Sequence, residues 1–195
     1  MTVLSRFGVP LGGGAGRGGI LQPKVKYKFR VRVVNFGPIA GGLDLTQQVQ
    51  TASLPTVNYE PQKVHSYNSL AYYMSKPEWE AVKVTVRDDV TNSVSKLIGH
   101  QVQKQQNHFE QTSPLAGVNY KFNMFIEQMD GGNDAVLEQW YLEGCFLAGV
   151  TYGDLDYSSS EARHIDLNIR YDIATQAGDL MPQNVSSSLL PGFGI

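Results

Sequence analysis

Acidic residues are absent from the first 43 positions, although seven basic residues occur there. The rest of the chain holds nine basic and eighteen acidic residues, so a leading part of +7 and a body of −9 give the net charge of −2. Separated charges of this size favour a self-complementary contact between copies, or a basic patch for an anionic partner. A solvated strand face beside an acidic body explains the same pattern equally well.

Cysteine and long apolar runs are equally scarce. The single cysteine, Cys145, excludes an internal disulfide and fits synthesis in a reducing compartment. Because it stands in an apolar run, we expect a packed core thiol rather than a nucleophile. No run of about 18 apolar residues occurs, and residues 1–10 lack the apolar middle of a signal peptide. We therefore expect no membrane anchor.

Motifs for catalysis and for metal binding are missing from the sequence. The four histidines lack zinc-ligand spacing, and no G-x-S-x-G is present. Asp154 and Asp156 resemble the start of a calcium loop, but Ser159 and Ile165 stand where that loop needs Gly and Glu. We expect no enzyme activity, metal or cofactor.

Glycine is concentrated in residues 11–20, LGGGAGRGGI, where Gly14, Gly16 and Gly19 satisfy G-x-G-x-x-G. A dinucleotide-binding turn needs a strand before the glycines and a helix after them. The preceding stretch is short and broken by Pro10, and the following stretch has the pattern of a strand. We therefore predict a flexible arm over residues 1–23.

Alternation of apolar and polar residues predicts a mainly β fold. Val25, Tyr27, Phe29, Val31 and Val33 alternate with basic residues, which indicates a half-buried strand. Because the aromatic residues face away from the basic ones, nucleic-acid binding at this strand is weakly supported. Further strands are predicted over 43–54, 56–67, 69–75, 78–89, 118–130, 135–155 and 163–175, with irregularities at Pro61, Gly144 and Gly149 and a hairpin turn at 130–134.

One helix interrupts the strands. Thr91 or Asn92 can cap it, and Asp88 and Asp89 precede it at the positive end of its dipole. The helix should end near Asn107. Its narrow apolar stripe suits packing across the side or mouth of a barrel and consists of Val94, Leu97, Ile98 and Val102. We predict an antiparallel barrel or sandwich over residues 24–176 with one flanking helix, and a C-terminal extension over 177–195.

In order and spacing, these segments resemble the tail tube proteins of contractile-tailed bacteriophages. The resemblance lies in YKFRVRVVNF (27–36), in the stretch from VQTASLP to VRDD (49–89), in the helix, and in LEQWYLEGCFLAGVTYGDLDYSSSEARHIDLNIRYDI (137–173). It covers about residues 24–175. The two ends depart from the compact family pattern.

The resemblance implies a ring-forming tube fold. Six copies would close a ring by joining their inner sheets, and rings would stack into a tube inside a contractile sheath. The expected partners are further copies, the sheath, baseplate and tail terminator proteins, and tape measure protein and genomic DNA in the lumen. The expected location is the virion tail, assembled in the host cytoplasm. We expect contacts between subunits at Gly14, Arg17, Lys26, Lys28, Arg30, Arg32, Tyr59, Tyr72, Leu189, Leu190 and Phe193.

Two alternatives remain open. A tube subunit of type VI secretion or of a tailocin would have the same fold. A monomeric barrel that binds a small apolar ligand would need an inward-facing cavity and no exposed strand edge.

Overall fold

Strands dominate the computed structural model, which describes residues 24–37, 42–129 and 136–177, with the backbone alone for 42–44. The prediction of a mainly β, antiparallel fold is confirmed. In chain order the elements are β1 (Phe29–Val34), α1 (Gly42–Gln48), β2 (Val49–Ala52), β3 (Val57–Ser66), β4 (Ser69–Trp79), β5 (Val82–Arg87), α2 (Ser93–Gln105), β6 (Phe122–Met129), β7 (Val136–Thr151), β8 (His164–Arg170) and β9 (Ile173–Ala177).

Strand β7, with 16 residues, belongs to two four-stranded sheets. Its first half lies between β6 and β9, which gives a first sheet in the order β1-β6-β7-β9. Its second half pairs with β8, which gives a second sheet in the order β2-β5-β8-β7. The sheets enclose one core, and β3 and β4 form a separate hairpin.

Apolar side chains fill the space between the sheets. Val31, Met124 and Leu142 come from the first sheet, and Val84 and Leu167 from the second. The interior void between α1 and the sheets measures about 10 Å³, which is room for about one water molecule. Packing of this kind leaves no ligand-sized space at that place.

The chain changes sheet at Tyr171 and Asp172, and here the prediction of one strand over 163–175 is wrong. Strand β8 ends at Arg170, and β9 begins at Ile173 beside the other half of β7. The Asp172 amide donates to the Glu143 carbonyl at 3.0 Å. The break shifts the alternation of buried and exposed residues by one position. Ala174 is buried, whereas Ile173, which the alternation placed on the buried face, is 49% exposed.

The prediction of a strand from residue 43 is also wrong in its first half. Residues 42–48 form α1, and only Val49–Ala52 form a strand. Leu45 and Val49 fit both patterns, since residues four apart lie on one side of a helix. Both line the small void beneath α1.

Helix α2 has the predicted stripe, with Val94, Leu97 and Ile98 buried. Its cap differs from the prediction, because Asn92 has φ 59° and its side chain makes no capping hydrogen bond. The Asp89 carboxylate accepts from the Ser93 amide at 2.9 Å and from the Thr91 hydroxyl at 2.6 Å instead. Hydrogen bonds from Thr91 and Ser93 lower the pKa of Asp89 below its ordinary value.

The predicted irregularities at Pro61, Gly144 and Gly149 are confirmed by register shifts in the ladders at all three. The predicted turn at 130–134 lies outside the described residues. Of the helices that the structure describes, none has the length and apolar character needed to cross a bilayer.

We predict opposite effects of alanine at two glycines. Gly144 has φ 68°, and a Cβ there would overlap the Asp172 carboxylate, which binds Lys121. Gly144→Ala should therefore lower the free energy of unfolding by at least about 1 kcal/mol. Gly99 lies inside α2 with nothing near its missing Cβ, so Gly99→Ala should raise it by about 0.5–1 kcal/mol. Urea denaturation measures both, and a stabilised Gly144→Ala would contradict the assigned backbone.

Candidate assembly surfaces

A buried carboxylate organises the face of the first sheet that points away from the core. Glu127 on β6 is 1% exposed. Its oxygens accept hydrogen bonds from Arg30 Nε at 2.7 Å, Arg32 Nη2 at 2.5 Å and Gln139 Nε2 at 2.9 Å. A buried charge is tolerated when it is paired and hydrogen-bonded in this way. The network ties β1, β6 and β7 together.

Two aromatic rings lie beside the Glu127 network on the same face of the first sheet. The Arg32 guanidinium carbon lies 5.2 Å from the centre of the Phe125 ring, within the range of a cation–π contact. The rings of Phe125 and Tyr141 follow, with centroids 4.9 Å apart. Arg30 and Arg32, predicted as interface cations, therefore have a counterion inside the subunit, while their side chains remain 40% and 35% exposed.

The first sheet ends at two edges without a ladder partner in the described chain. Strand β1 pairs only with β6, and β9 pairs only with β7. The Met129 amide donates to the Lys28 carbonyl, and hydrogen-bonded pairs alternate in an antiparallel ladder. Phe29, Val31 and Val33 therefore direct their amides and carbonyls away from β6. Unpaired edges of this kind are templates for pairing with another chain.

The outer edge of the second half of β7 is covered within the subunit, because a side chain of α2 forms hydrogen bonds with it. Gln105 Nε2 donates to the Leu147 carbonyl at 2.9 Å, and Gln105 Oε1 accepts from the Leu147 amide at 2.8 Å. One turn earlier, the fully buried Gln101 accepts from the Gly37 amide and donates to the Tyr120 carbonyl. Gln105 thus takes the place of a neighbouring strand at Leu147, and both glutamines hold α2 on the barrel.

The hairpin of β3 and β4 leaves the barrel and is exposed along most of its length. Trp79 at its base packs on Tyr171, with ring centroids 5.8 Å apart. Several large apolar side chains are exposed: Tyr59, Val64, Tyr67, Leu70, Tyr72, Tyr73 and Met74. An isolated two-stranded hairpin is marginally stable in water, and a concentration of exposed apolar groups marks a contact surface.

The predicted interface residues fall into three groups. Lys26, Lys28, Arg30 and Arg32 lie on β1 or just before it, and Lys26 lines a cleft at that edge. Tyr59 and Tyr72 lie on the hairpin and are 48% and 61% exposed. Gly14, Arg17, Leu189, Leu190 and Phe193 lie outside the described residues. Sequence reasoning missed Glu127 and the two glutamines of α2, Gln101 and Gln105.

The reactive groups do not assemble into a catalytic centre in the described part of the chain. Cys145 is buried, as predicted, and burial raises the pKa of its thiol from 9.0 to about 12. Among the described residues, no three His, Cys, Asp or Glu side chains are placed to hold a metal ion.

The fold described above is similar to that of chains in tube and cap assemblies of contractile injection systems. No family model and no curated protein matches the sequence. The likeness is to solved structures, and at sequence identities of 14–15% it shows a shared fold alone.

Three of these structures are cryo-EM assemblies. A chain of the anti-feeding prophage cap, a tube-terminating cap, matches with a TM-score of 0.62 and 15% identity over 83% of this chain and 95% of its own length. A chain of the sheath/tube terminator of the extracellular contractile injection system PVC gives 0.61 and 14% over 82% and 100%. A chain of the PVC sheath–tube complex gives 0.60 and 14% over 82% and 94%.

We predict that Glu127→Gln destabilises the subunit by about 2–3 kcal/mol, because it leaves Arg30 and Arg32 without a counterion. The estimate is at the low end for a broken buried ion pair, since both arginines reach water. Glu143→Gln, at an exposed position on β7, is the matched control and should change little. Chemical denaturation measures both, and equal effects would show that the network is not stabilising.

Gln105→Ala should expose the edge of β7 at Leu147. Loss of two hydrogen bonds to a buried main chain should cost about 1–3 kcal/mol and speed amide exchange in peptides that contain Leu147. Gln103→Ala removes an exposed glutamine of the same helix whose side chain accepts only a long, exposed hydrogen bond from the His108 amide at 3.3 Å, and it serves as control. Unchanged exchange at Leu147 would refute the role given to Gln105.

Proposed function

We propose that the protein is a structural subunit of the inner tail tube of a contractile bacteriophage tail. Copies close hexameric rings, and the rings stack into the conduit for DNA ejection. The unpaired edges of the first sheet carry this proposal, because β1 and β9 offer main-chain groups that have no ladder partner among the described residues and that a strand of another copy can complete. The likeness to chains of sheath, tube and terminator assemblies supports it.

Ring closure follows from the order β1-β6-β7-β9. Strand β9 of one copy pairs with β1 of the next, so that the first sheets become one continuous wall. The second sheet is less suited to this role, because Gln105 already occupies the edge of β7 at Leu147. Ladder hydrogen bonds and the buried edges stabilise the ring, as in other cases of strand addition.

The hairpin and the two ends of the chain join neighbouring copies. Tyr59 and Tyr72 cover apolar surface of a neighbour, which removes their exposure to water. The arm with Gly14 and Arg17, and the tail with Leu189, Leu190 and Phe193, dock on adjacent subunits. Charges that remain uncompensated on the basic leading part attract the acidic body of the next ring.

The further partners follow from this role. The sheath surrounds the tube, and baseplate and terminator proteins bind its two ends. Tape measure protein and genomic DNA occupy the lumen, and the particle assembles in the host cytoplasm as part of a virion tail. A tube has no need of a catalytic group or cofactor.

A tube subunit of a contractile injection system other than a phage, such as a tailocin, is the second candidate. The likeness to anti-feeding prophage and PVC chains favours it, since those structures belong to injection machines. A monomeric ligand-binding barrel has less support, because such a barrel needs no exposed strand edge, whereas β1 and β9 have no ladder partner on their outer sides among the described residues.

We predict that a lysine on β9 blocks assembly. Ile173 is 49% exposed and lies opposite Glu143 in the ladder, so Ile173→Lys keeps the subunit stable within about 0.5 kcal/mol. A lysine on an unpaired edge opposes strand addition. Leu155→Lys, in a loop where the side chain is 84% exposed, is the control.

Sedimentation velocity and negative-stain electron microscopy test both variants beside the unmodified protein. Rings or tubes should form from the unmodified protein and from Leu155→Lys, and monomers from Ile173→Lys. Equal assembly of all three would exclude β9 as the joining edge. An unmodified protein that stays monomeric at every concentration would overturn the proposed function.

A further inference from the structure

We infer that an open cleft between β1 and β2 of one copy binds the apolar end of the C-terminal segment, residues 189–193, of a neighbouring copy. The inference rests on the self-assembly proposed above and supplies the receptor for one of its contacts. Three observations support this inference: the apolar lining of the cleft, the position of Gln176 at its rim, and the composition and length of the C-terminal segment.

The cleft has a volume of about 810 Å³ and opens where β1 and β2 diverge. Tyr27 and Leu54 on its walls are 77% and 55% exposed, although both are large apolar side chains. Phe29 and Trp140 also line it. Exposed apolar groups in a concave site favour an apolar occupant.

Main-chain groups along the cleft favour an extended peptide in particular. Strand β2 pairs only with β5, so its other edge has no ladder partner among the described residues, and Val49–Ala52 line the cleft. The outer edge of β1 remains available to β9 of the next copy. A peptide strand that lies along β2 gains main-chain hydrogen bonds and buries alternate side chains.

Both ends of the described chain meet at the rim of this cleft. The Glu138 carboxylate lines it and accepts from Lys24 Nζ at 2.5 Å and from Gln176 Nε2 at 2.8 Å. Trp140 Nε1 donates to the same carboxylate at 2.9 Å. The hydrogen bond and charge of Lys24 lower the pKa of Glu138. The C-terminal segment therefore begins one residue beyond a contact with the cleft.

The composition of the two ends identifies the C-terminal segment as the occupant. Residues 180–195 contain no charged side chain, and Leu189, Leu190, Phe193 and Ile195 fall within the last seven positions. Residues 11–20 of the N-terminal arm hold only Leu11 and Ile20 as large apolar side chains. The C-terminal segment thus has more apolar surface to bury in the cleft.

The length of the segment indicates a neighbouring copy rather than the same chain. Gln176 already touches the rim, so entry into the chain's own cleft needs only a few residues. Eleven residues, 178–188, separate Ala177 from Leu189, and they span up to about 35 Å when extended. A linker promotes binding most when its length matches the distance that it has to span. Residues 178–188 are longer than the chain's own cleft requires, so their length suits binding to a second copy.

A mixing experiment tests the inference with Trp140 as reporter. The chain has two tryptophans, so Trp79→Phe leaves Trp140 as the single one. The acceptor carries Trp79→Phe with Leu189→Glu, Leu190→Glu and Phe193→Glu, and retains its cleft. The donor carries Trp79→Phe, Trp140→Phe and Leu54→Glu, and retains its C-terminal segment.

Acrylamide quenching of the acceptor's Trp140 should fall in a saturable manner as donor is added. A donor that also carries the three glutamates should give no protection. A donor with glutamates at Leu180, Met181 and Val185 instead should protect fully. A synthetic peptide of residues 178–195 should protect as well, which removes dependence on donor folding. Absence of protection by both the donor and the peptide would overturn the inference.

Dilution separates the neighbouring copy from the same chain. In a Trp79→Phe chain without other changes, protection of Trp140 should disappear on dilution, whereas persistent protection would indicate its own segment and refute the inference. Sedimentation of the same samples keeps the two proposals apart. If the donor protects Trp140 but no rings form, the binding of the segment to the cleft is supported and the tube function is not. If rings form but Trp140 stays unprotected, the tube function is supported and the binding of the segment to the cleft is refuted.

Discussion

Strand β7 imposes the constraint on which the architecture depends, because one continuous strand has to serve two sheets. Its two halves pair with different neighbours, and the change of partner occurs at Gly144, where the backbone has φ 68°. Only a residue without a Cβ fits there, beside the carboxylate of Asp172. Because β7 is shared, seven strands form two sheets of four, and each sheet has two edges.

The four edges are not equivalent, and in the proposed assembly this difference decides which sheet joins one copy to the next. Gln105 completes the second half of β7 at Leu147 from within the subunit. Strands β1 and β9 have no ladder partner on their outer sides among the described residues, and both belong to the first sheet. In the proposed ring, main-chain hydrogen bonds between copies would therefore form at that sheet. The Glu127 network holds three of its strands, β1, β6 and β7, together.

The sequence predicted the elements whose pattern is local. The stripe of α2 and the alternation of β1, β5 and β8 are visible within a few residues, and the structure has them. Helix α1 escaped prediction because Leu45 and Val49 satisfy both periods. The break after Arg170 escaped it because only pairing with β7, far away in the chain, moves Ile173 to the surface and Ala174 into the core.

The ion pairs at the candidate interface could not be predicted from the sequence either. Lys24, Arg30 and Arg32 belong to the basic leading part, and each forms an ion pair with a glutamate of the acidic body. Glu127 is 97 residues from Arg30 in the chain, so no local pattern connects them. Part of the charge separation seen in the sequence is thus neutralised inside one subunit. What remains for attraction between rings is smaller than the sequence suggests.

Unpaired edges also endanger a protein before it assembles, and the dimensions of these edges moderate the danger. Strand β9 has five residues and β1 has six, so a single ladder between two copies contains few hydrogen bonds. A weak ladder cannot offset the loss of translational and rotational freedom unless further contacts form at the same time. In the proposed tube, the exposed hairpin and the cleft would supply such contacts only when a neighbour is correctly placed. Assembly on an existing ring or baseplate would then be favoured over random pairing, because several weak contacts would form there at the same time.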